Sequence, residues 1–217
     1  MTNIEMYYPN MPKTYSNCPF MYKLKYVDKI TMPQLSSWFE KGKKIHALAN
    51  FYLKGQDITK LEQNLTYEEK EIFEKLKNNV YFQKEYVNSE YNLSAKLGNY
   101  WLGGRFDALM KDENDYYILD YKTGSAPKNP EYDFQTMFYL TILNIFLGDK
   151  IVPENLNFVY IDLKNNQNIV INFNSSLKEE YVQRISNVCK KIKEDTIFSA
   201  KQDERCAFCE YSKICRG

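Results

Sequence analysis

Three ionisable residues near the middle of the chain have types and spacing that suit divalent-cation chemistry. Asp120 and Lys122 lie two residues apart in the strand-like run ILDYKTG, and Asp107 precedes them. If a hairpin turn is centred between Glu113 and Asn114, Asp107 lies opposite Asp120 with Cβ atoms about 4.5–5.5 Å apart. Lys122 then shares the face of Asp120. Opposed carboxylates repel each other, so this register predicts a cation such as Mg²⁺ between them. A register slipped by one residue would send Asp107 to the opposite face.

The cysteines form a second candidate metal-binding set. Cys206, Cys209 and Cys215 cluster near the end of the sequence, and Cys18 lies near its start. Four thiols can hold either structural Zn²⁺ or a [4Fe–4S] cluster, and the spacing does not separate the two. The fifth cysteine, Cys189, falls within a predicted helix and is interpreted as a small core residue.

The single histidine of the chain, His46, lies in the helix-like stretch WFEKGKKIHALANFY. A lone histidine on a helix is most often a surface residue or a satisfied core residue. Neutral imidazole also ligates divalent metals, however, and suits Mn²⁺ better than Mg²⁺. The residue alone does not decide between these interpretations.

The two acids and the lysine belong to a longer ordered set of residues. In chain order the set comprises Gly104-Arg105-Phe106-Asp107, Asp120-Tyr121-Lys122, Gln135 and Tyr139. These residues resemble the G-x-x-D, D-x-K and Q-x-x-x-Y elements of the RecB-like branch of the PD-(D/E)XK nuclease superfamily. The resemblance implies an α/β, restriction-endonuclease-like fold with a central mixed β-sheet flanked by helices. It also implies a Mg²⁺- or Mn²⁺-dependent nuclease that hydrolyses DNA phosphodiester bonds.

The resemblance further implies a role for each matched residue. Asp107 and Asp120 would bind the metal. His46 and the backbone carbonyl of Tyr121 would help, because RecB-like nucleases carry a metal-ligating helix histidine upstream of the first acid. Lys122 would position the attacking water or stabilise charge on the phosphate. The remaining members are two supporting residues, Gln135 and Tyr139, and a candidate DNA contact, Arg105, whose side chain could equally form a salt bridge.

A subset of RecB-like nucleases has one cysteine before the nuclease core and three after it, and these bind an iron–sulfur cluster. The CRISPR-associated exonuclease and the AddB nuclease domain are in this subset. By resemblance, Cys18, Cys206, Cys209 and Cys215 would hold a [4Fe–4S] cluster, with Zn²⁺ as the alternative. Such a cluster would join the N- and C-terminal segments and stabilise the fold by restricting the unfolded chain.

Hydrophobic periodicity predicts central strands with helices on either side, a mixed α/β class. The predicted helices are 18–27, 34–53, 66–78 (opened by a Thr66–Glu69 capping pattern), 130–147 and 177–193. The predicted strands are 91–97, 100–110, 116–122, 156–163 and 168–173, and the residues before 18 are predicted to be irregular. We predict one nuclease domain over 1–217. Within it, 28–80 form a helical insertion carrying His46, 81–195 the nuclease core, and 1–27 with 196–217 the cluster-binding segments.

Composition limits the partners and the location. The net charge of +1 excludes an overall basic signature for nucleic acid, so DNA contacts must come from local groups. The 19 tyrosines suit stacking on unpaired bases, which favours single-stranded DNA as the substrate. The sequence has no signal-peptide pattern and no apolar run of about 18 residues, so we expect a cytoplasmic protein without a membrane partner.

We therefore expect an exonuclease acting in DNA repair, recombination or CRISPR adaptation, with other DNA-processing proteins as further partners. Two alternatives remain open at this point. One is a non-catalytic DNA-binding module of a DNA-processing complex. The other is a structural metal protein without a nucleic-acid role, which the near-neutral charge favours.

Overall fold

A five-stranded sheet lies at the centre of the protein, and its strands follow one another in chain order. The computed structural model describes residues 6–32 and 37–216, without the side chains of 37–40 and 216. The strands are β1 Glu85–Leu97, β2 Tyr100–Asp112, β3 Asp115–Lys122, β4 Leu156–Asp162 and β5 Gln167–Asn172. Neighbouring strands are antiparallel except β3 and β4, which are parallel.

Helices precede, connect and follow the strands. They are α1 Asn10–Asn17, α2 Pro19–Tyr22 (continued by a wider turn over Lys23–Val27), α3 Ser37–Leu53, α4 Thr59–Gln63, α5 Tyr67–Lys77, α6 Phe134–Leu147, α7 Ser175–Glu194 and α8 Ser212–Arg216. The predicted capping pattern opens α5, where Thr66 and Glu69 cap each other reciprocally. The predicted mixed α/β fold with a central sheet flanked by helices is confirmed.

The β2–β3 hairpin has the predicted register. Asp112 pairs with Asp115, and Ala108 pairs with Leu119, as a turn centred after Glu113 requires. Glu113 has a positive φ of 52°, the backbone conformation that tight two-residue hairpin turns need. Turn length and strand alternation are local properties, so the register could be predicted from the sequence.

The parallel pair β3 and β4 is connected by α6, which crosses one face of the sheet. Residues 136–144 of α6 are all buried, because the helix packs against both the sheet and α7. The predicted start of this helix at residue 130 is too early. Asp133 caps the helix by accepting a hydrogen bond from the backbone N–H of Gln135 (2.9 Å), and Pro130 lies in the preceding turn.

Helices on both faces of the sheet bury two separate apolar cores. One core lies under α6 and α7 and includes Phe106 and Ile118. The other lies under α3 and α5 and includes Ala108 and Leu119. Phe106 and Ala108 are two residues apart and would share a face in a regular strand, so β2 changes face at Asp107. The change of face decides where the Asp107 side chain points.

The N-terminal half departs from the prediction in two places. Residues predicted to be irregular form α1, and Tyr7 pairs with Leu102 of β2. β1 begins at Glu85 rather than at residue 91, and its register shifts between Tyr86 and Asn88, which hides the strand alternation. The first residues of the predicted helix 34–53 lie outside the described part of the chain.

Candidate metal-binding active site

The candidate site lies where β2 and β3 separate. Their ladder ends at Ala108 and Leu119, and one step further the backbone N–H of Tyr121 donates to Asp107 Oδ2 (2.9 Å). We call this place, formed by Asp107 and Asp120–Lys122, the β2–β3 fork. Asp107 reaches toward α3, whereas Asp120 reaches toward α6. The two carboxylates therefore enter the fork from its two sides and not from one shared face, because β2 changes face at Asp107.

Asp120 is buried at the end of β3 and is held by two side chains. The amide of Gln135 donates to Oδ1, and Lys122 Nζ lies 2.7 Å from Oδ2. This ammonium is not aligned for a hydrogen bond, so Oδ2 is buried without one. Gln135 also accepts a hydrogen bond from Lys122 Nζ (3.2 Å). One amide thus links the acid to the lysine.

The charges at the fork act strongly on one another. Burial raises the pKa of Asp120 to about 6; Lys122 opposes this rise and repulsion from Asp107 adds to it. Burial lowers the pKa of Lys122, but the negative charge of Asp120, whose Oδ2 lies 2.7 Å from the ammonium, outweighs it and gives a net rise. The lysine is therefore charged at neutral pH beside a carboxylate that ionises less readily than an exposed one.

His46 links two of the other predicted ligands from α3. Its Nδ1 lies 3.1 Å from Asp107 Oδ1, and its Nε2 lies 2.9 Å from the carbonyl oxygen of Tyr121. Burial lowers the pKa of His46, but the hydrogen bond and charge of Asp107, helped by Asp120 and the Tyr121 carbonyl, raise it to about 9. At neutral pH the imidazole is therefore a cation that donates from both ring nitrogens. A positive charge is stabilised at this point of the fork.

The structure adds an acid that the sequence analysis did not single out, Glu90. One oxygen of Glu90, one oxygen of Asp107 and a ring nitrogen of His46 lie within 4.8 Å of one another; no other such trio was found in residues 6–32 and 37–216. Glu90 has a positive φ of 49° and faces Asp107 between the Ser89–Ala108 and Tyr91–Phe106 pairs. Counting back from the β1–β2 turn would have found it, but the predicted strand began one residue too late.

Arg105, the candidate DNA contact, forms the salt bridge that the sequence left open. Its Nε lies 2.9 Å from Oε2 of Glu90. The Arg105 side chain is nevertheless 64% exposed, so much of the guanidinium is accessible. The ion pair positions Glu90 toward the fork.

Tyr139 lies against the backbone of β2. A Cβ atom added to Gly104 would be 2.6 Å from the Tyr139 ring, and the ring packs on Phe106 with centroids 4.9 Å apart. Gly104, the glycine of the G-x-x-D element, is therefore required because the Tyr139 ring lies too close to its backbone for a side chain to fit. Burial raises the pKa of Tyr139 above its usual range, so the phenol stays protonated and can donate a hydrogen bond.

The donor set at the fork fits a hard divalent cation. It combines carboxylate oxygens, one backbone carbonyl and one imidazole, the ligands that suit Mg²⁺ and Mn²⁺. The buried Oδ2 of Asp120 accepts no hydrogen bond, and unsatisfied buried acceptors are rare in folded proteins. The Lys122 ammonium lies 2.7 Å from that oxygen, and the trio of potential ligand atoms within 4.8 Å of one another is His46, Glu90 and Asp107, without Asp120.

All four predicted cluster ligands line one cavity of about 500 Å³: Cys18, Cys206, Cys209 and Cys215. Within the described residues, no three of these sulfurs lie within 4.8 Å of one another. Tetrahedral zinc with Zn–S bonds of about 2.3 Å needs sulfurs roughly 3.8 Å apart, so these thiols are not arranged as a compact zinc tetrahedron. Two backbone N–H groups donate to the sulfurs, Lys201 to Cys18 (3.4 Å) and Asp203 to Cys206 (3.5 Å).

Further contacts bring the two ends of the chain together around this cavity. Arg205 Nη2 donates to the carbonyl oxygen of Asn17 (3.2 Å), and the Tyr211 hydroxyl donates to the carbonyl oxygen of Ile30 (2.8 Å). Cys189 is fully buried in the core under α6 and α7, as predicted for a small core residue. The N- and C-terminal segments therefore meet at the cysteines.

Comparison with known proteins decides the family. A family model of the PD-(D/E)XK nuclease superfamily matches residues 10–216. The chain belongs to the PD-(D/E)XK nuclease superfamily. Members of this superfamily are nucleases that use divalent metal ions, and the donor set at the fork agrees with that chemistry.

One curated protein and one solved structure are similar to this superfamily member. The chain is 25% identical over 129 residues to the CRISPR-associated exonuclease Cas4 of Francisella tularensis subsp. novicida (strain U112). The match covers 58% of this chain and 61% of Cas4, about three fifths of that relative's length. A crystal structure from Eubacterium rectale assigned as an exonuclease has a TM-score of 0.57 at 12% identity, covering 95% of this chain and 88% of that chain. The latter likeness confirms the fold.

Over residues 6–32 and 37–216, no helix is both long enough and apolar enough to cross a membrane.

Proposed function

We propose that this nuclease-superfamily member is a Mg²⁺- or Mn²⁺-dependent deoxyribonuclease whose active site is the β2–β3 fork. One observation carries the proposal: the buried Asp120 carboxylate, with an oxygen that accepts no hydrogen bond, lies beside the charged Lys122. A buried carboxylate left in this way costs folding free energy. Binding a cation and a phosphate explains why the chain keeps it.

The contacts of each residue support a role in phosphodiester hydrolysis. Asp107 and Asp120 would hold the cation together with the Tyr121 carbonyl. A divalent ion bound there would neutralise charge on the scissile phosphate and lower the pKa of the attacking water. Lys122 would donate to a phosphate oxygen as negative charge develops. Gln135 would hold the Lys122 and Asp120 side chains in position through its hydrogen bonds to both.

The remaining residues would adjust the cation site. Since both ring N–H groups of His46 donate to other ligands, ligation through this imidazole requires loss of a proton. Glu90 would complete the site as a further carboxylate, directly or through water, with Arg105 holding its second oxygen. Tyr139 would donate a hydrogen bond at the inner wall of the fork, where Gly104 leaves room for its ring.

We propose that the four cysteines hold a [4Fe–4S] cluster with a structural role. The resemblance to the RecB-like nucleases with one cysteine before the core and three after it supports this choice over Zn²⁺, and the N–H donors to two of the sulfurs suit bound thiolates. The cluster would join the N-terminal segment, 1–27, to the C-terminal segment, 196–217. In this division of the domain, 81–195 form the nuclease core and 28–80 form the helical insertion that carries His46. Unpaired cysteines of this kind suit the reducing cytoplasm.

The proposed substrate is single-stranded DNA, degraded by exonuclease action in repair, recombination or CRISPR adaptation. The likeness to Cas4 supports the exonuclease assignment, and the tyrosine-rich composition supports unpaired bases as the ligand. Other DNA-processing proteins are proposed as partners.

A cleavage assay with a matched lysine control tests the proposed function. Labelled single- and double-stranded DNA would be incubated with Mg²⁺, Mn²⁺ or EDTA and the wild type, Lys122→Met or Lys84→Met. Lys84 is a partly buried lysine just before β1 that pairs with Asp112. We expect cleavage by the wild type and by Lys84→Met, and none by Lys122→Met or in EDTA. DNA that is retarded but intact in all lanes would instead favour a non-catalytic DNA-binding module.

Metal analysis tests the cluster, with Cys189 as the internal control. Protein purified anaerobically should contain about four irons per chain and absorb in the visible range. Cys206→Ser should lose the iron and unfold at lower temperature, whereas Cys189→Ala should keep the iron. One zinc per chain without iron would refute the cluster and support a zinc site.

A further inference from the structure

We infer that one exposed strip of the sheet binds single-stranded DNA by stacking and guides it to the β2–β3 fork, an inference that rests on the proposed function. The strip consists of Trp101 and Arg105 on β2, Lys96 on β1 and Tyr8 in the N-terminal segment, and we call it the stacking strip. It lies on the part of the sheet beyond the ladder that β2 forms with β3.

The surroundings of Gly103 and Gly104 show which face of the sheet the stacking strip occupies. A Cβ atom on Gly104 would meet Tyr139 of α6, whereas a Cβ atom on Gly103 would meet Met6 and Tyr8. Gly103 therefore faces away from α6. Trp101 and Arg105 lie two residues to either side of Gly103, so strand alternation puts them on the same face.

Tyr8 is fixed on this face by backbone pairing. The N–H of Tyr7 donates to the carbonyl oxygen of Trp101, and the N–H of Gly103 donates to the carbonyl oxygen of Tyr7, both at 2.8 Å. The Tyr7 side chain is buried in the core under α6, and Tyr8 emerges on the opposite face. Its ring carbon lies 2.8 Å from where a Gly103 Cβ would be, so the tyrosine lies close over the strand because Gly103 has no side chain.

The strip combines exposed aromatic rings with cations. Trp101 is 46% exposed and Tyr8 is 50% exposed, which is unusual for large rings fixed on a sheet. Lys96 is exposed and pairs directly with Trp101 across the strands, and the Arg105 guanidinium is mostly accessible. Rings for bases beside cations for phosphates are the elements with which proteins bind single strands.

The strip leads directly into the proposed active site. Trp101, Gly103, Arg105 and Asp107 are successive alternate residues of β2, and each step along a strand of this kind spans about 6.8 Å. Trp101 therefore lies roughly 20 Å from Asp107, a separation that a strand of several nucleotides covers and a small diester does not. Duplex DNA offers stacked base pairs with no free faces to these rings, so the strip favours unpaired DNA.

Tryptophan fluorescence gives a direct test of stacking. The protein has two tryptophans, and Trp38→Phe leaves Trp101 as the single indole. In the Asp120→Asn background, which prevents cleavage, oligo(dT) should quench this fluorescence and a matched duplex should not. Trp101→Phe and Tyr8→Ala would be compared by oligonucleotide anisotropy, and Tyr8→Ala should weaken oligo(dT) binding about tenfold. Phe146→Ala, an exposed ring on α6 across the sheet, should leave binding unchanged.

Kinetics separate the strip from the catalytic centre. Trp101→Ala and Tyr8→Ala should raise KM for oligo(dT) about tenfold with kcat nearly unchanged. Neither should alter hydrolysis of a small chromogenic diester, thymidine 5′-(p-nitrophenyl phosphate), which reaches only the fork. Gly103→Ala should reproduce the effect of Tyr8→Ala, because its Cβ displaces the flexible Met6 and Tyr8 side chains without touching the core.

The outcomes distinguish this inference from the proposed function. Normal cleavage with no quenching, or unchanged KM in Trp101→Ala and Tyr8→Ala, would overturn the stacking strip and leave the nuclease standing. Quenching by oligo(dT) without any cleavage by the wild type would support the strip and refute the nuclease. Equal quenching by duplex and single strand would also overturn the inference, since it excludes stacking on unpaired bases.

Discussion

The neighbouring strands β3 and β4 each end in a buried aspartate followed by a lysine two residues later, and the two acids are held in opposite ways. Asp120 and Asp162 are 2% and 1% exposed, and both stand in a D-x-K sequence. Asp162 Oδ1 accepts from the N–H of Asn165 (2.8 Å), and Oδ2 accepts from the N–H of Ala126 (3.1 Å) and from Asn165 Nδ2 (2.9 Å). Asp120 Oδ2 accepts no hydrogen bond.

The pKa values follow the hydrogen bonds. Burial alone would raise the pKa of both acids. At Asp162 the surrounding N–H donors outweigh burial and lower the pKa, whereas at Asp120 burial dominates and raises it to about 6. The same short motif therefore serves the fold at β4, where it closes a turn, and is available for chemistry at β3. The difference lies in the neighbours: Gln135 and Lys122 contact Asp120, and the side chain of Lys164 is exposed.

The largest expected difference between the two acids is in catalysis. Asp120→Asn should lower DNA cleavage at least about 10³-fold, because it removes a cation-binding charge. Its melting temperature should be equal to that of the wild type or higher, because the variant no longer buries a charge that opposes folding. Asp162→Asn should keep a rate within about threefold of the wild type but melt roughly 5–10 °C lower, since an amide nitrogen would then face two N–H donors.

Cleavage assays below the melting temperature, paired with thermal unfolding, check both halves of this prediction. An Asp162→Asn protein that is folded but as inactive as Asp120→Asn would mean that the two D-x-K motifs act together. The separation of structural and functional acids would then be wrong.

Stabilisation by a bound cation should also distinguish Asp120 from Asp162, with a smaller effect than that on catalysis. At Mn²⁺ concentrations about 100 times the dissociation constant, binding stabilises a protein by about 2.7 kcal/mol. We expect this stabilisation in the wild type and in Asp162→Asn, and its near absence in Asp120→Asn. Scanning calorimetry with and without Mn²⁺ measures it. An equal rise in melting temperature for all three proteins would place the cation elsewhere.

The sequence predicted one side of this site better than the other. The β2–β3 register, and with it Asp107, Asp120 and Lys122, followed from turn length and alternation, which are local. Glu90 did not follow, because the register shift between Tyr86 and Asn88 breaks the alternation that marks a strand. The change of face at Asp107 depends on tertiary packing.

The N-terminal region was harder to predict because its structure also depends on tertiary packing. The segment NMPKTYSN of α1 is polar on average and has no apolar repeat, and the helix forms where it packs against α6 and α7. The meeting of Cys18 with the three C-terminal cysteines could be predicted only through the family resemblance. Their spacing contains no information on the distance between the chain ends.

The pH dependence of stability should have opposite signs at the two acids in metal-free protein. Asp120 has a folded pKa above its unfolded value near 4, so its folded form holds a proton more tightly. The free energy of unfolding should therefore fall as pH rises from about 4 to about 6, by an amount on the order of 1–2 kcal/mol. Asp162 has a lowered folded pKa, so its contribution is present above about pH 4 and is lost as pH falls through the folded value.

Urea unfolding in EDTA at several pH values, for the wild type and both asparagine variants, isolates these contributions. The free energy of unfolding of the wild type minus that of Asp120→Asn should decrease as pH rises from 4 to 6. The free energy of unfolding of the wild type minus that of Asp162→Asn should stay nearly constant over that range and decrease as pH falls below about 4. Differences that follow the same trend for both variants would refute the assignment of their pKa shifts.

The smallest expected effect concerns Glu90, which the fork has and the end of β4 does not. Glu90→Gln removes a charge while its carbonyl oxygen can still accept from Arg105 Nε, so the strand should keep its geometry. We expect Mn²⁺ affinity to fall about three- to tenfold, because a site with one fewer carboxylate attracts the cation less. Isothermal titration calorimetry of the inactive Lys122→Met protein, with and without Glu90→Gln, measures this change in Mn²⁺ affinity apart from catalysis.

Glu85 is an exposed acid on the same strand, and the control variant Glu85→Gln should bind Mn²⁺ with the affinity of the Lys122→Met parent. If both glutamine variants bind equally well, Glu90 serves only to hold Arg105, and the cation site consists of the predicted ligands alone.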